Sequence, residues 1–324
     1  FNGSSQSSVS QKLIVPNGEQ MAAERERIAD PSNTDQIQVQ ELKKIFPGGK
    51  VAVNGITFGV RRQEVFGLVG PSRSGKSTVL EMVSGLIPRT GGDLRLFGVD
   101  IYEESSDIFK FIGASTQGTS LLLYLTIEEH LKMVGMIRGI PPKELSSDIE
   151  YLVDILDLKQ HLGKPMRHHQ MSVRRRLSLA LALIGAPSIL LLDEPVMDLE
   201  PSIKLRFVEI IRSYAERRGA AIIFVTQNIQ EAMRICDRMG VMLNGEFVWL
   251  DKVEAVEANF KNCYTLFVRR MHADQESLFP KIKGLLPTAI KRYSDQSLTE
   301  VFRYHNYGIP FSKVFAFMQE LKQQ

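Results

Sequence analysis

The stretch Val65-Phe66-Gly67-Leu68-Val69-Gly70-Pro71-Ser72-Arg73-Ser74-Gly75-Lys76-Ser77-Thr78 decides the fold. A short apolar run predicts a buried strand, a loop with glycine at both ends follows it, and a helix is predicted from Ser77 to Leu86. The loop fits the P-loop pattern, in which backbone N–H groups at a helix N-terminus surround phosphate oxygens. The strand before the loop and the helix after it favour this interpretation over a simple glycine turn.

The P-loop interpretation gives its residues separate roles toward the phosphates of a nucleotide. Lys76 would reach the β- and γ-phosphates, and Ser77 would bind Mg²⁺. The predicted nucleotide-binding residues are Gly70, Pro71, Ser72, Arg73, Ser74, Gly75, Lys76, Ser77 and Thr78.

Two carboxylates follow the apolar segment 189–192. We expect Asp193 to hold Mg²⁺ through water and Glu194 to act as the general base toward an attacking water. An Asp-Glu pair alone is usually a solvated loop. Behind four aliphatic residues, and together with a P-loop, the catalytic interpretation is favoured.

The composition narrows the class of protein. The 324 residues are 44% hydrophobic and 24% charged with a formal net charge of +3, which is typical of a soluble globular chain of two domains. The charge balance gives no reason to expect a nucleic acid as partner. Two cysteines exclude a disulfide framework, and no apolar run reaches the roughly 18 residues of a membrane helix. Because the chain begins with Phe1, we interpret it as a soluble fragment of something longer.

Three segments are predicted. Residues 1–34 resemble a flexible linker, because they are polar at first and then carry the mixed-charge run Glu24 to Arg27 without an apolar stripe. Residues 35–260 alternate strands and helices, which predicts an α/β domain with a parallel sheet covered on both faces. Residues 261–324 predict a small β-α-β-β-α domain. Helices are predicted at 126–136, 145–158, 172–184, 201–216, 229–236, 275–286 and 311–321. The first of these opens with Thr126 as N-cap and Glu129 three residues on, which predicts a capping box.

A basic cluster precedes the second carboxylate motif. It consists of residues 167–169 (Arg-His-His) and 174–176 (Arg-Arg-Arg). A solvated helix face is favoured over a nucleic-acid patch.

These motifs and their spacing resemble the nucleotide-binding domain of an ATP-binding cassette (ABC) transporter. Phe46 occupies the position of an aromatic residue that stacks on adenine in that family, and Gln117 that of the Q-loop glutamine, which senses Mg²⁺ and the membrane domains. Residues 177–185 are similar to the helix after the family's signature. Residues 24–28, 243–247 and 264–269 are similar to the second nucleotide-binding domain and C-terminal regulatory domain of A-subfamily transporters.

The resemblance implies an ABC cassette with a helical subdomain that binds ATP and Mg²⁺. It also implies two kinds of partner, a second nucleotide-binding domain and transmembrane domains that handle a lipid or other hydrophobic substrate. The fragment would then lie on the cytosolic face of a multi-pass membrane protein. The resemblance also gives the basic cluster an alternative to a solvated helix face, which is proximity to the ATP of the partner domain.

The sequence departs from the family pattern at the signature, whose Ser-Gly-Gly aligns with Gln170-Met171-Ser172. Glycines let backbone N–H groups approach phosphate, whereas Met171 has a side chain in the way. A shift by two residues would place Ser172 at the signature serine, but Val173 and Arg174 would then occupy the glycine positions. The motif is degenerate in either alignment.

Three further departures concern single residues. Gln227 replaces the switch histidine, and glutamine can form hydrogen bonds but cannot carry a positive charge. Glu200 replaces the shorter D-loop aspartate, and Arg73 occupies a loop position often held by glycine, where we expect it to be tolerated. We therefore expect ATP hydrolysis that involves Glu194, Gln227 and Gln117 but is slow. The alternative is a regulatory module in which ATP-driven dimerisation matters and turnover does not.

Overall fold

The structure, a computed structural model, describes residues 18–102, 107–116, 121–260, 263–269, 279–286, 290–294 and 299–305. The chain divides into two compact units, Phe1–Val253 and Glu254–Gln324. The division falls a few residues before the boundary expected from the sequence. The helix Val253–Phe260 therefore belongs almost entirely to the second unit.

A six-stranded sheet forms the centre of the first unit, with the order β10-β9-β3-β8-β7-β6. Five of its strands are parallel, as predicted, and β10 pairs antiparallel with β9. Strands β3, β7 and β8 are buried along their whole length, which explains their continuous apolar sequences. The strands are β3 (Val65–Val69), β6 (Ile112–Ser115), β7 (Ile189–Asp193), β8 (Ala221–Thr226), β9 (Arg238–Leu243) and β10 (Glu246–Lys252).

A second, antiparallel sheet has the order β2-β1-β4-β5. This sheet corrects the prediction of one parallel sheet for residues 35–260. The short turn between β1 and β2 leaves no room for a crossover helix, so these strands can only pair antiparallel. Phe58 of β2 stacks on Phe66 of β3 at 4.8 Å, which places the main core between the sheets. The strands are β1 (Ile37–Ile45), β2 (Val51–Val60), β4 (Gly91–Leu96) and β5 (Val99–Asp100).

Three helices inserted between β6 and β7 contact one another and form a helical group, as the resemblance implied. The first begins at the predicted capping box, in which the Thr126 and Glu129 side chains each bond the other's backbone N–H. Of the described helices, none is long and apolar enough to cross a membrane. The first unit's helices are α1 (Gly18–Ala29), α2 (Lys76–Val83), α3 (Ile127–Ile137), α4 (Pro142–Ile155), α5 (Met171–Leu183), α6 (Pro201–Arg218) and α7 (Ile229–Ile235).

The second unit contains a three-stranded antiparallel sheet with the order β11-β13-β12. Its described elements follow the predicted sequence of strand, helix, strand and strand, and α8 precedes them. The predicted closing helix at 311–321 lies outside the described residues. The elements are α8 (Val253–Phe260), β11 (Cys263–Arg269), α9 (Phe279–Leu285), β12 (Ile290–Ser294) and β13 (Thr299–His305).

The linker prediction for residues 1–34 is wrong where α1 forms. The mixed-charge run buries one of its carboxylates, because the Glu24 side chain accepts hydrogen bonds from Arg27 and from the Gly59 N–H of β2. Arg238 of β9 completes the cluster, with 2.7 Å between its Nη2 and Glu24 Oε2 and 3.0 Å between its Nη1 and Glu64 Oε1. An apolar stripe was too strict a criterion here, since this helix packs through paired charges together with the buried Ile28 and the half-buried Met21.

The cluster stabilises the charged form of Glu24. Burial by itself would raise the pKa of this carboxyl, but hydrogen bonds from Arg27, the charge of Arg238 and the Gly59 N–H outweigh it and lower the pKa to about 2. A carboxyl with a lowered pKa in the folded state stabilises that state above its unfolded-state pKa. This contribution is lost as the pH falls from about 4.5 toward 2.

We predict that Glu24→Gln lowers the free energy of unfolding by about 3 kcal/mol at pH 7. The difference from the wild type should narrow as the pH falls below 4.5, because the Glu24 carboxyl of the unfolded wild type then binds a proton while that of the folded state stays ionised. Urea denaturation at pH 7 and at about pH 3.5 measures both effects. Glu26→Gln, on the exposed side of the same helix, is the matched control and should change little. Equal effects of the two variants would contradict the prediction.

Candidate nucleotide-binding site

The candidate site lies where three neighbouring parallel strands end. The P-loop follows β3, Asp193 is the last residue of β7 and Glu194 comes next, and Gln227 follows β8. Because β3 pairs with β8 and β8 with β7, their carboxyl ends meet at one edge of the sheet. Ligands bind in this position in open α/β sheets.

The P-loop folds tightly around the Lys76 side chain. Its Nζ donates hydrogen bonds to the carbonyl oxygens of Gly70 and Pro71, each at 2.8 Å, and only 6% of Lys76 is exposed. Gly75 has a φ of 105°, and a Cβ there would collide with the carbonyl oxygen of Ala52. The second glycine of the motif is therefore required for both its conformation and its close approach to β2.

Arg73 adopts a φ of 66°, in the left-handed region that favours glycine. For a residue with a side chain this conformation costs about 1 kcal/mol or more. The loop keeps its hydrogen bond from the Ser74 N–H to the Pro71 carbonyl at 3.3 Å, and the Arg73 side chain is exposed. The structure therefore accommodates Arg73 without loss of the loop's turn.

Two buried carboxylates lie close to the P-loop lysine. Asp193 and Glu194 are 6% and 5% exposed, and Asp193 Oδ1 and Glu194 Oε1 are buried without a hydrogen-bond partner. Burial raises the pKa of Asp193, whereas a hydrogen bond with Ser77 and the charge of Lys76 oppose the shift. Burial likewise raises the pKa of Glu194, against a hydrogen bond with Gln227 and the charge of Lys76. Burial lowers the pKa of Lys76, and both carboxylates oppose this change.

Gln227 bridges the P-loop and the second carboxylate. The Ser72 hydroxyl donates to Gln227 Oε1 at 2.8 Å, and the Gln227 side chain is also hydrogen-bonded to Glu194. With its oxygen occupied by Ser72, the amide has its NH₂ group available as the donor to the carboxylate. The residue that replaces the expected histidine is thus part of the site.

The segment after β7 contains two left-handed residues that are not glycine. Glu194 has a φ of 49° and Asp198 a φ of 59°. Such conformations cost about 1–3 kcal/mol each and persist where surrounding contacts hold them. One contact comes from α5, since Arg175 Nη1 donates to the Glu194 carbonyl oxygen at 3.0 Å.

The interpretation of residues 174–176 as a solvated basic face is therefore wrong for two of the three. Arg175 and Arg176 are each 8% exposed, and Arg176 Nη1 donates to the Asp157 carbonyl oxygen at 2.7 Å. Sequence reasoning missed Arg175 because three successive arginines resemble a surface charge run. The one signal in the sequence is helical spacing: Arg175 and Arg176 lie three or four residues before Leu179, which is buried in α5.

The remaining predicted residues lie in different surroundings. Phe46 is half-buried in the turn between β1 and β2, with the Lys44 ammonium 5.3 Å from its ring centroid. Gln170 is the N-cap of α5 without a side-chain cap bond, and Met171 is 45% exposed. Glu200 is the N-cap of α6, and Thr78 lies half-buried in the first turn of α2. Gln117 lies outside the described residues.

Two family models match parts of the chain. A model described as ABC transporter matches residues 53–197, which include the P-loop and both carboxylates. A model described as AAA domain, putative AbiEii toxin, Type IV TA system, matches residues 172–233.

The curated relatives point to one subfamily. Human ATP-binding cassette sub-family A member 10 is 28% identical over 85% of this chain and 18% of its own length. Human retinal-specific phospholipid-transporting ATPase ABCA4 is 29% identical over 86% of this chain and 13% of its own. ABC transporter A family member 7 of Arabidopsis thaliana is 27% identical over 98% of this chain and 34% of its own. The chain thus spans about a third or less of the length of these relatives.

Solved structures share the fold. The ATP-binding subunit of an ABC transporter superposes with a TM-score of 0.64 at 22% identity, covering 70% of this chain and 93% of its own. A dimeric ATP-binding cassette bound to ADP and Pi gives 0.63 at 20% identity, covering 67% and 98%. The predicted cassette fold is confirmed. The chain contains an ABC transporter ATP-binding domain and has A-subfamily transporters among its homologues.

Proposed function

We propose that this chain binds and hydrolyses ATP to power transport of a lipid or other hydrophobic substrate across a membrane. The observation that carries the proposal is the buried Lys76 ammonium beside two buried carboxylates at adjacent strand ends, directly under a P-loop. A glycine-containing loop, a buried lysine or a buried carboxylate pair also occurs in proteins that bind no nucleotide. Together they form the set of groups that phosphoryl transfer from a nucleotide requires.

The P-loop would hold the phosphates. Lys76 is bonded to the loop's own carbonyl groups, so its ammonium is already directed into the loop where the β- and γ-phosphates would lie. The N-terminus of α2 adds the positive end of a helix dipole. Phe46 would stack on the adenine, and Gln117 would sense the metal and the membrane domains.

The residues at the end of β7 fit a magnesium ion. The Ser77 hydroxyl and the Asp193 carboxylate are hydrogen-bonded, and Asp193 Oδ1 is buried without a partner. Hydroxyl and carboxylate oxygens are the hard ligands that Mg²⁺ prefers, with water completing its shell. We propose Ser77, Asp193 and Gln117 as its direct or water-mediated ligands. When bound, Mg²⁺ would neutralise negative charge on the phosphates.

Glu194 is the proposed general base. Its Oε1 is buried and free of other hydrogen bonds, so it can accept the proton of a water molecule. Burial raises the pKa of this carboxyl, which makes it a better proton acceptor at neutral pH than an exposed glutamate. Gln227 would orient it, and the hydrogen bond from that side chain favours the charged form.

We further propose that hydrolysis is slow. Gln227 offers a neutral amide where the family's histidine can carry charge toward the γ-phosphate, and loss of one such preorganised group typically costs about 3–4 kcal/mol. Ser172 and Met171 would present a degenerate signature to the ATP of a second nucleotide-binding domain. Both departures also suit the alternative, a regulatory module whose nucleotide-driven dimerisation matters more than turnover.

The proposed partners are a second nucleotide-binding domain and transmembrane domains, with this chain on the cytosolic face. The support is the family match and the names of two relatives, a phospholipid-transporting ATPase and a cholesterol transporter. A lipid is therefore the substrate class we propose for the membrane domains. Since the chain is a small part of those relatives, the transported molecule has to be tested in a complete transporter.

We predict that Glu194→Gln lowers ATP turnover at least about a hundredfold while ATP affinity changes less than about threefold. The amide keeps the shape of the side chain but cannot accept the proton of water. Steady-state phosphate release and equilibrium ATP binding are the measurements. Glu216→Gln, on the exposed surface of α6, is the control and should match the wild type. Loss of lipid transport by the same substitution in the complete transporter would favour the enzyme, whereas unchanged transport would favour the regulatory module.

A second prediction concerns the rate. Gln227→His should raise kcat roughly tenfold or more, because an imidazole can place positive charge beside the γ-phosphate. Gln230→His makes the same exchange in the first turn of α7, where the side chain is exposed, and should leave kcat unchanged. An unchanged or lower kcat for Gln227→His would contradict the proposed cause of slow hydrolysis.

A further inference from the structure

Arg175 links the helix that begins with the degenerate signature to the carboxyl end of β7. It lies one turn into α5, is buried, and donates from Nη1 to the Glu194 carbonyl oxygen at 3.0 Å. Its Nη2 lies 3.8 Å from Asp198 Oδ2. Its charge also acts on Asp193, whose pKa it lowers against the larger effect of burial. One guanidinium thus acts on three acidic residues of one segment.

The segment that Arg175 contacts needs external support. Glu194 and Asp198 both hold left-handed backbone conformations without being glycine. Within the segment, the Met197 N–H donates to the Glu194 carbonyl oxygen at 3.2 Å, which closes a turn. The Glu194 N–H donates to the Val225 carbonyl oxygen, which fixes the other side of the residue to β8. Arg175 therefore donates a hydrogen bond to the Glu194 carbonyl oxygen from outside the segment.

We propose that Arg175 is a positioning residue, which orients the Glu194 side chain by fixing its peptide group and ties this orientation to α5. The inference rests on the proposed function, in which Glu194 is the general base. A displacement of the base by about 1 Å would lower the rate about a hundredfold without a change in the phosphate-binding groups. Arg175 would then affect kcat more than KM.

We attribute the positioning of Glu194 to the hydrogen bond from Arg175 to its carbonyl oxygen and not to the ion pair between Arg175 and Asp198. The Asp198 side chain is 61% exposed and its separation from Arg175 is long, so solvent weakens the attraction. A lysine at position 175 would keep the charge but lose the planar fork that directs one N–H at the carbonyl. Arg175→Lys therefore separates geometry from charge.

The adjacent arginine provides a matched control. Arg176 has the same exposure on the same helix and also donates to backbone carbonyl oxygens, those of Leu156 and Asp157 at 3.4 and 2.7 Å. Its contacts lie in the helical group and not at the end of β7. Arg176→Met thus removes a buried guanidinium of the same kind without touching the segment 194–200.

The experiment compares the wild type with Arg175→Met, Arg175→Lys and Arg176→Met in the full 324-residue chain. Amide hydrogen exchange by mass spectrometry reports the hold on the segment directly. We expect peptides that cover 194–200 to exchange at least about tenfold faster in Arg175→Met, with a smaller change in Arg175→Lys. Arg176→Met should accelerate exchange around residues 156–158 and leave 194–200 as in the wild type.

Steady-state kinetics on the same proteins give the second readout. We expect kcat of Arg175→Met to fall at least about tenfold with KM for ATP within about threefold, and kcat of folded Arg176→Met to stay near the wild type. Equal exchange of 194–200 in the two methionine variants, or a change in KM alone, would overturn the inference. If the wild type hydrolyses no ATP, the proposed function fails. The exchange result still decides whether Arg175 holds the segment.

Discussion

The burial of the Lys76 ammonium against the Asp193 and Glu194 carboxylates is the constraint on which the site depends. Each of these charges alone would be costly to remove from water. Burial lowers the pKa of the lysine and raises those of both acids; the lysine charge opposes the shift of each acid, and the two acids oppose the shift of the lysine. The fold stabilises this arrangement by closing the P-loop around the lysine with two carbonyl acceptors. A phosphate group would then enter a site whose positive charge is already in place.

The parallel order of the sheet places these charges together. Strands β3, β7 and β8 run side by side in one direction, so three segments far apart in sequence end at one edge. Their full burial leaves little freedom to the residues that follow them. The left-handed conformations of Glu194 and Asp198 show that the chain must turn sharply as it leaves β7. Contacts from β8 and α5 hold that turn, so the carboxylate that we propose as general base depends on two neighbouring elements.

Sequence reasoning worked where a local pattern has one physical explanation. The P-loop, the apolar strand before Asp193 and the capping box at Thr126 are contiguous, and each was found where it was predicted. It failed where the explanation lies in distant residues. Glu24 is buried because Arg238, far along the chain, pairs with it. Arg175 is buried because a carbonyl group at the end of another element accepts its hydrogen bond. From a single sequence, Glu24 and Arg175 are both predicted to be exposed charged residues.

The positive charge of the candidate site comes from residues other than the one at the switch position. In the family pattern the switch histidine can add charge beside the γ-phosphate, and here Gln227 supplies only an amide. Among the described residues, the positive charges that lower the pKa of Asp193 are those of Lys76 in α2 and Arg175 in α5. Lys76 belongs to the P-loop motif. Arg175 belongs to α5, whose first residues would face the second nucleotide-binding domain in the proposed assembly. Under the proposed function, a chain with Gln227 at the switch position and Arg175 in α5 would make the orientation of Glu194 depend on the position of α5, and therefore on what contacts the beginning of that helix.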